Sequence, residues 1–154
     1  MKIGQKQNII ISKNKKQTNM FKPRFTKEDR STFSYWFAHW CAFNLTALNL
    51  KLWKPKYLFH DIEKPFLKLI WEYPRVQKWH RTHNSHHLEY YVLHQKADWE
   101  AMIIDWECSG MTKVACPLDA RGEMNRILES GKFSEEVNKA LKDNMLPILD
   151  RLEM

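Results

Sequence analysis

The chain has 154 residues and a formal net charge of +7, and hydrophobic residues make up 44% of it. This composition excludes an intrinsically disordered chain, and the length fits one domain with a single core. Glycine, at four residues, is too scarce for a turn-rich β fold, so helices are favoured.

The positive charge is concentrated at the N-terminus. Eight lysine and arginine residues precede the first acidic residue, Glu28, and the rest of the chain is close to neutral. Residues 1–20 are rich in Lys, Asn and Gln. We predict a flexible basic leader over residues 1–20, which is either a solvated tail or an arm that binds nucleic acid. A single helical domain would follow over residues 21–154.

The cysteine pattern argues against a disulfide framework. Cys41, Cys108 and Cys116 are odd in number, and no CxxC pair occurs, so they are predicted to be core or inert thiols. Apolar runs are too short for a secretory signal or a membrane span. These features predict a reducing cytoplasm and no membrane partner.

Apolar residues recur at three- and four-residue steps from Lys27 to about Leu50. This period predicts a first helix, with Thr26 as its N-cap. His39 lies beside the apolar face of that helix, because Trp36 precedes it by three residues. The first helix therefore carries a histidine towards the core.

Prolines divide the next part of the chain. Pro55 can occupy the first turn of a second helix, Pro65 bends or ends that helix, and Pro74 starts another. Asn84-Ser85 is a predicted break, with Ser85 as the N-cap of a helix over residues 86–95.

The C-terminal third is predicted to form three helices. Asp98 is the predicted N-cap of a helix over residues 99–108, which would end at Gly110. A helix over residues 118–130 and a last helix capped by Ser134 follow. The predicted fold is a compact all-α bundle of five to seven helices.

Histidines and acidic residues cluster in the middle of the chain. Six of the seven histidines lie between His60 and His94. His60 and Asp61 form a doublet at the end of an apolar run, and Asp105 lies in the apolar sequence M-I-I-D-W-E. Imidazole nitrogens and carboxylate oxygens are good transition-metal ligands, and a buried carboxylate needs a cation or a donor. The pattern predicts a buried metal centre.

Each part of this pattern also has a simpler explanation. The doublet alone is typical of a helix surface, where adjacent side chains point about 100° apart. A buried salt bridge would explain Asp105 equally well. His83 and His87 could share a face only on an unbroken helix. His80 and His94 are predicted to be surface or packing histidines.

The pattern H…HD…H…HH…D, with a lysine three residues after the doublet's Asp, resembles the HD superfamily of metal-dependent phosphohydrolases. The run L-F-H-D-I-E-K is similar to the superfamily's H-D-I-G-K element, with Glu63 where glycine is usual. W-H-R-T-H-N-S-H-H-L-E-Y-Y at 79–91 and M-I-I-D-W-E at 102–107 more closely resemble a group of small phage and bacterial HD-type proteins. The likeness covers about residues 33–113.

This resemblance implies one or two divalent transition-metal ions, namely Mn, Fe, Co, Ni or Zn. Asp61 and Lys64 would be catalytic, Glu89 would hold a ligating imidazole by its other N–H, and Arg81 is the candidate for substrate binding. The principal metal ligands would be His39, His60, Asp61 and Asp105. Candidates for a second metal or for phosphate contact would be His83, His86 and His87.

The function that the resemblance implies is a metal-dependent phosphohydrolase. It would hydrolyse a small phosphoester, such as a nucleotide, with a water activated by the metal. Its compartment would be the cytoplasm of a bacterium or of a phage-infected host. One alternative is a non-catalytic helical module, stapled by metal, that binds nucleic acid through the N-terminal arm. Another is a metal that only stabilises the fold.

Overall fold

A computed structural model describes residues 25–113 and 119–154 of the chain. Within these ranges the chain forms seven α-helices and two 3-10 helices, Glu28–Ser31 and Pro55–Phe59, which confirms the predicted all-α bundle of five to seven helices. The α-helices are α1 (Phe33–Asn49), α2 (Glu63–Leu67), α3 (Tyr73–His83), α4 (Leu88–His94), α5 (Trp99–Thr112), α6 (Ala120–Glu129) and α7 (Glu135–Arg151).

The predicted basic leader, residues 1–20, lies outside the described residues, as does Cys116. The nucleic-acid arm therefore stays a prediction. The described chain starts at Phe25, whose amide donates to the carbonyl of Thr112 at 3.4 Å. None of the described helices is both long and apolar enough to cross a membrane.

α5 is the central helix of the bundle. Its three consecutive residues 102–104 are completely buried. On one side α5 packs against α6 and α7, where Leu141 is also fully buried, and on the other side it packs against Phe43 of α1. A helix that is apolar around most of its circumference belongs in a core. This placement carries Asp105, the next residue, towards the centre of the molecule.

Two predicted N-caps are confirmed. Asp98 accepts a hydrogen bond from the amide of Ala101 at 3.1 Å, and Ser134 accepts one from the amide of Val137 at 3.4 Å. Gly131 follows α6 with a φ of +63°, a left-handed conformation that glycine adopts without steric cost. Short polar side chains and glycine therefore set these boundaries, as their local chemistry predicts.

Three other predicted boundaries are wrong. Thr32, not Thr26, caps α1, because its hydroxyl accepts a hydrogen bond from the first turn of that helix. α5 continues through Gly110 to its end at Thr112. Ser85 does not cap α4, because the helix begins at Leu88 and His87 occupies the N-cap position.

The complete burial of Leu141 predicts how much its truncation lowers the stability of the fold. Leu141→Ala should lower the free energy of unfolding by about 2–5 kcal/mol, because it removes fully buried methyl groups and leaves a cavity. Leu93, which is 61% exposed on α4, offers a matched control, and Leu93→Ala should cost no more than about 0.5 kcal/mol. Urea denaturation followed by circular dichroism measures both. Equal midpoints for the two variants would contradict the described core.

Candidate metal centre

Side chains that can ligate a metal meet between α1, α3 and α5. α1, α3 and α5 each contribute one of them, the turn after the 3-10 helix Pro55–Phe59 contributes two, and the loop between α3 and α4 contributes two. Five of the seven are buried and the last two are partly buried. We call this set the His/Asp cluster, and its members are His39, His60, Asp61, His80, His86, His87 and Asp105.

His60 and Asp61 face the same point because the chain leaves helical geometry between them. His60 has φ −59° and ψ 124°, and Asp61 has a left-handed φ of +57°. The indole N–H of Trp36 donates to the carbonyl of Asp61 at 2.8 Å, which ties the turn to α1. The ring of His60 stacks on Phe43 with centroids 3.5 Å apart. The helical position expected for this doublet is therefore wrong.

The four residues predicted as principal ligands lie together. His39 Nε2 is 3.0 Å from Asp105 Oδ1, 3.6 Å from Asp61 Oδ2 and 3.3 Å from His60 Nε2. His60 Nε2 is 3.5 Å from Asp61 Oδ1 and 3.7 Å from Asp105 Oδ1. Two imidazole nitrogens and two carboxylates from three separate segments thus converge on one position.

A second group of donor atoms shares Asp61 with the first. Asp61 Oδ1 is 3.2 Å from His80 Nε2 and 3.3 Å from His86 Nε2. His80 Nε2 is also 2.8 Å from His87 Nε2. The carboxylate of Asp61 therefore lies between two groups of imidazoles, as a bridging ligand would.

The spacing of these atoms fits metal coordination. Bonds of about 2.1 Å at angles between about 90° and 110° place neighbouring ligand atoms about 3.0–3.4 Å apart. Asp61 Oδ1 and His86 Nε2 are both buried, and neither takes part in a hydrogen bond with proper geometry. Unpaired buried polar atoms are costly, and a cation between them would remove that cost. The buried His and Asp side chains could therefore hold a metal ion.

Most imidazoles of the cluster are neutral at pH 7. Burial lowers the pKa of His60 to about 4, although nearby carboxylates oppose the shift. Burial also lowers the pKa of His80 and holds that of His87 well below its usual range. For His86 burial also acts to lower the pKa, but the carboxylate of Asp61, 3.3 Å from its Nε2, outweighs burial and raises the pKa. Neutral imidazole is the form that binds metals.

Both carboxylates are ionised. Burial alone would raise the pKa of Asp61, but His60 and the ammonium of Lys64, 2.5 Å from Asp61 Oδ2, hold it well below its usual range. Hydrogen bonds with His39 and His60 do the same for the pKa of Asp105 against its burial. The cluster thus presents its carboxylates in the form that ligates a cation.

His80 was expected to be a surface or packing histidine, and the surface alternative is wrong. It is 1% exposed and lies within the cluster. The signal was present in the sequence, because Val76 precedes His80 by one helical turn and is itself buried. A histidine four residues after a buried apolar residue lies on the buried face of its helix.

His83 is not part of the cluster. Its side chain is exposed and stacks on Trp79 with centroids 4.3 Å apart. α3 ends at His83, and Asn84 is extended, so His83 and His87 do not lie one turn apart on one helix. The candidate second-metal histidines are therefore His80, His86 and His87 instead of the predicted set.

Glu63, not Glu89, contacts the ring nitrogen of a cluster histidine that does not face Asp61. Glu63 Oε1 is 2.5 Å from His80 Nδ1, which leaves His80 Nε2 directed at Asp61. Such a partner fixes the orientation of a ligating ring. Glu89 instead forms ion pairs with Arg81 and with a lysine of the α6–α7 loop, each at 2.9 Å.

Cys108 contacts the cluster without facing the shared point. Its Sγ is 3.8 Å from His39 Nδ1, the ring nitrogen opposite the one that faces Asp105. Burial raises the pKa of the Cys108 thiol well above its usual value. His39, Asp105 and Cys108 also form a group whose donor atoms could hold a metal ion, so the inert role of Cys108 stays a prediction.

A cavity of about 330 Å³ leads from the protein surface to the His/Asp cluster. His39, Asp61 and Lys64 are part of its wall. The N-terminal half of α1, with the 3-10 turn before it, lines one part, and α2 with the turn after it lines another. The cavity therefore reaches His39 and Asp61 of the cluster, whose side chains are themselves buried.

Comparisons with known proteins do not assign the chain to a family. No protein-family model, no curated protein and no solved structure matches it. The functional proposal therefore depends on the geometry of the His/Asp cluster, whose buried side chains could hold a metal ion.

The cluster geometry predicts which histidines bind metal. His86→Asn should reduce the bound metal, because it removes a nitrogen that faces Asp61, whereas His83→Asn should retain the wild-type content. Plasma mass spectrometry of protein equilibrated with Mn²⁺ or Zn²⁺ and then dialysed gives the number of ions per chain. We expect one or two in the wild type. Equal metal content in the two variants would contradict the assignment.

The contact between Glu63 and His80 Nδ1 leads to a second prediction. Glu63→Gln removes the charge that orients the ring and should weaken metal binding about 10- to 100-fold. Glu89→Gln is the matched control, because Glu89 pairs with surface cations, and it should leave metal affinity unchanged. Titration calorimetry with Zn²⁺ measures both. A larger loss in Glu89→Gln than in Glu63→Gln would restore the role first expected for Glu89.

Proposed function

We propose that the protein is a metal-dependent phosphohydrolase of HD type that hydrolyses a small phosphoester. The observation that carries this proposal is the position of Asp61. Its Oδ1 lies 3.2–3.5 Å from the Nε2 atoms of His60, His80 and His86, and the residue forms part of the wall of an open cavity. A metal that only stabilised the fold would need no such access.

The proposed site divides the ligands into two groups around Asp61. When bound, a divalent ion supplies a Lewis acid for the phosphoryl oxygens and lowers the pKa of water to near neutrality. The first group of side chains that would hold such an ion consists of His39, His60, Asp61 and Asp105. The other is Asp61, His80, His86 and His87.

The position of Lys64 in the cavity wall supports the proposal. Its ammonium pairs with Asp61 and lies in the cavity wall, where it would offset the negative charge of a phosphate. The surrounding charges raise its pKa despite its burial, and Asp61 is the largest of these contributions. Lys64 therefore stays charged at neutral pH, as this role requires.

Two further cations of the cavity wall replace Arg81 as candidates for substrate binding. Arg81 is exposed and pairs with Glu89 at 2.9 Å, and it does not line the cavity. Arg30 and Lys68 do line it. Among the described residues, neither has a carboxylate partner within ion-pair distance, so both are available to an anionic ligand.

The proposed activity is tested with the metal-loaded full chain. We expect it to hydrolyse p-nitrophenyl phosphate or bis(p-nitrophenyl) phosphate with Mn²⁺ or Co²⁺, and to lose that activity with a chelator. Asp61→Asn should lower kcat/KM about 100-fold or more, because the shared carboxylate is lost. Asp143→Asn, an exposed change on α7, is the control.

Two results would refute the phosphohydrolase. One is the absence of turnover by metal-loaded wild type across phosphomonoesters and phosphodiesters. The other is an activity that Asp61→Asn leaves intact, since such an activity would come from a contaminant. Circular dichroism of both variants shows that a lost activity does not reflect unfolding.

A further inference from the structure

The cavity that reaches Asp61 has a largely apolar wall. α1 contributes Phe33 and Trp36 to it, and α2 with the following turn contributes Pro65 and Leu69. Phe33 is 65% exposed and Leu69 is 82% exposed, so both reach solvent while lining the cavity. Large apolar side chains at the edge of a site indicate contact with an apolar group of the ligand.

The exposed apolar surface continues beyond the cavity. Phe37, at 52% exposure, lies one helical turn after Phe33 on the same face of α1. Phe66, at 65% exposure, lies three residues before Leu69, and Ile70, at 70% exposure, directly follows it. We call these five residues, Phe33, Phe37, Phe66, Leu69 and Ile70, the apolar rim.

The same cavity carries positive charge that has no carboxylate partner. Arg30 Nε is buried and has no hydrogen-bond partner among the described residues. The ammonium of Lys68 donates to the carbonyl of Ser31. A ligand that fits must therefore present both an anion and an apolar surface, and a phosphate ester of an apolar alcohol is such a ligand.

We propose that the substrate is an amphiphilic phosphoester, with its phosphate at the His/Asp cluster and a hydrocarbon-rich group on the apolar rim. A nucleotide or a sugar phosphate would leave the rim in water and set polar hydroxyls against apolar walls. The place of the phosphate rests on the proposed function, whereas the contact between the hydrocarbon group and the rim can be measured by binding alone.

Alkylphosphonates, which cannot be hydrolysed, separate binding from turnover. Titration calorimetry of the Mn²⁺-loaded full chain would compare methyl-, butyl- and octylphosphonate at monomeric concentrations. Each buried methylene contributes up to about fourfold in affinity, so octylphosphonate should bind at least about tenfold more tightly than methylphosphonate. Equal affinities, or a nucleoside monophosphate that binds more tightly than octylphosphonate, would overturn the amphiphile while leaving the phosphohydrolase intact.

Variants of the apolar rim test where the alkyl group of the phosphonate binds. Leu69→Ser should reduce the octyl-to-methyl affinity ratio about threefold or more, and a ratio within one protein is insensitive to a general loss of binding. Leu93→Ser is the matched control, because Leu93 is 61% exposed on α4 and lines no described cavity, and it should keep the wild-type ratio. Equal ratios in the two variants would overturn the proposal.

A second copy of the chain is the competing occupant of the rim. Sedimentation velocity of wild type and Phe66→Ser distinguishes it, because a dimer built on the rim would dissociate in the variant. A dimer that dissociates, together with an unchanged octyl-to-methyl ratio, overturns the amphiphile. A monomeric wild type with a chain-length dependence that Leu69→Ser removes supports it. If that dependence appears and no phosphoester is hydrolysed, the phosphohydrolase fails and the binding site remains.

Discussion

The left-handed turn at Asp61 is the constraint on which the rest of the site depends. For a residue other than glycine this conformation costs about 1–2 kcal/mol. The carbonyl of Asp61 accepts hydrogen bonds from the Trp36 indole at 2.8 Å and from the Lys64 amide at 3.1 Å, which hold the turn. On a regular helix Asp61 would point about 100° away from His60. The strained turn places both side chains at one point.

The charge balance of the cluster follows from that turn. Asp61 and Asp105 bring two carboxylates into the interior, and Lys64 pairs with one of them. Burying charge is expensive unless it is paired, and among the described residues no lysine or arginine pairs with Asp105. A divalent cation would offset this second negative charge, while the imidazoles complete its coordination. The apolar setting of Asp105 on α5 thus makes sense as part of a site, although a salt bridge would have explained that residue alone.

Features that depend on local sequence were predicted more successfully than features that depend on tertiary packing. The all-α class, two helix caps and the four principal candidates followed from apolar periods, short polar residues and acids in apolar surroundings. His80 was missed although Val76, one turn earlier, marked the buried face of its helix. His83 was misplaced although the predicted break at Asn84-Ser85, directly after the end of α3, already separated it from His87. That Glu63 takes the role expected for Glu89 depends on the packing of α2 against α3, which brings Glu63 to His80. A single sequence does not specify that packing.

The cavity wall and the cluster are parts of one unit. α2 has only five residues, too few for an isolated helix to be stable, so tertiary contacts must hold it. Those contacts come from the cluster side: Lys64 pairs with Asp61, and Glu63 contacts His80. α2 also carries Phe66, whose side chain is largely exposed to solvent. The same five residues therefore orient a histidine of the cluster, pair with the carboxylate of Asp61 and present apolar surface beside the cavity.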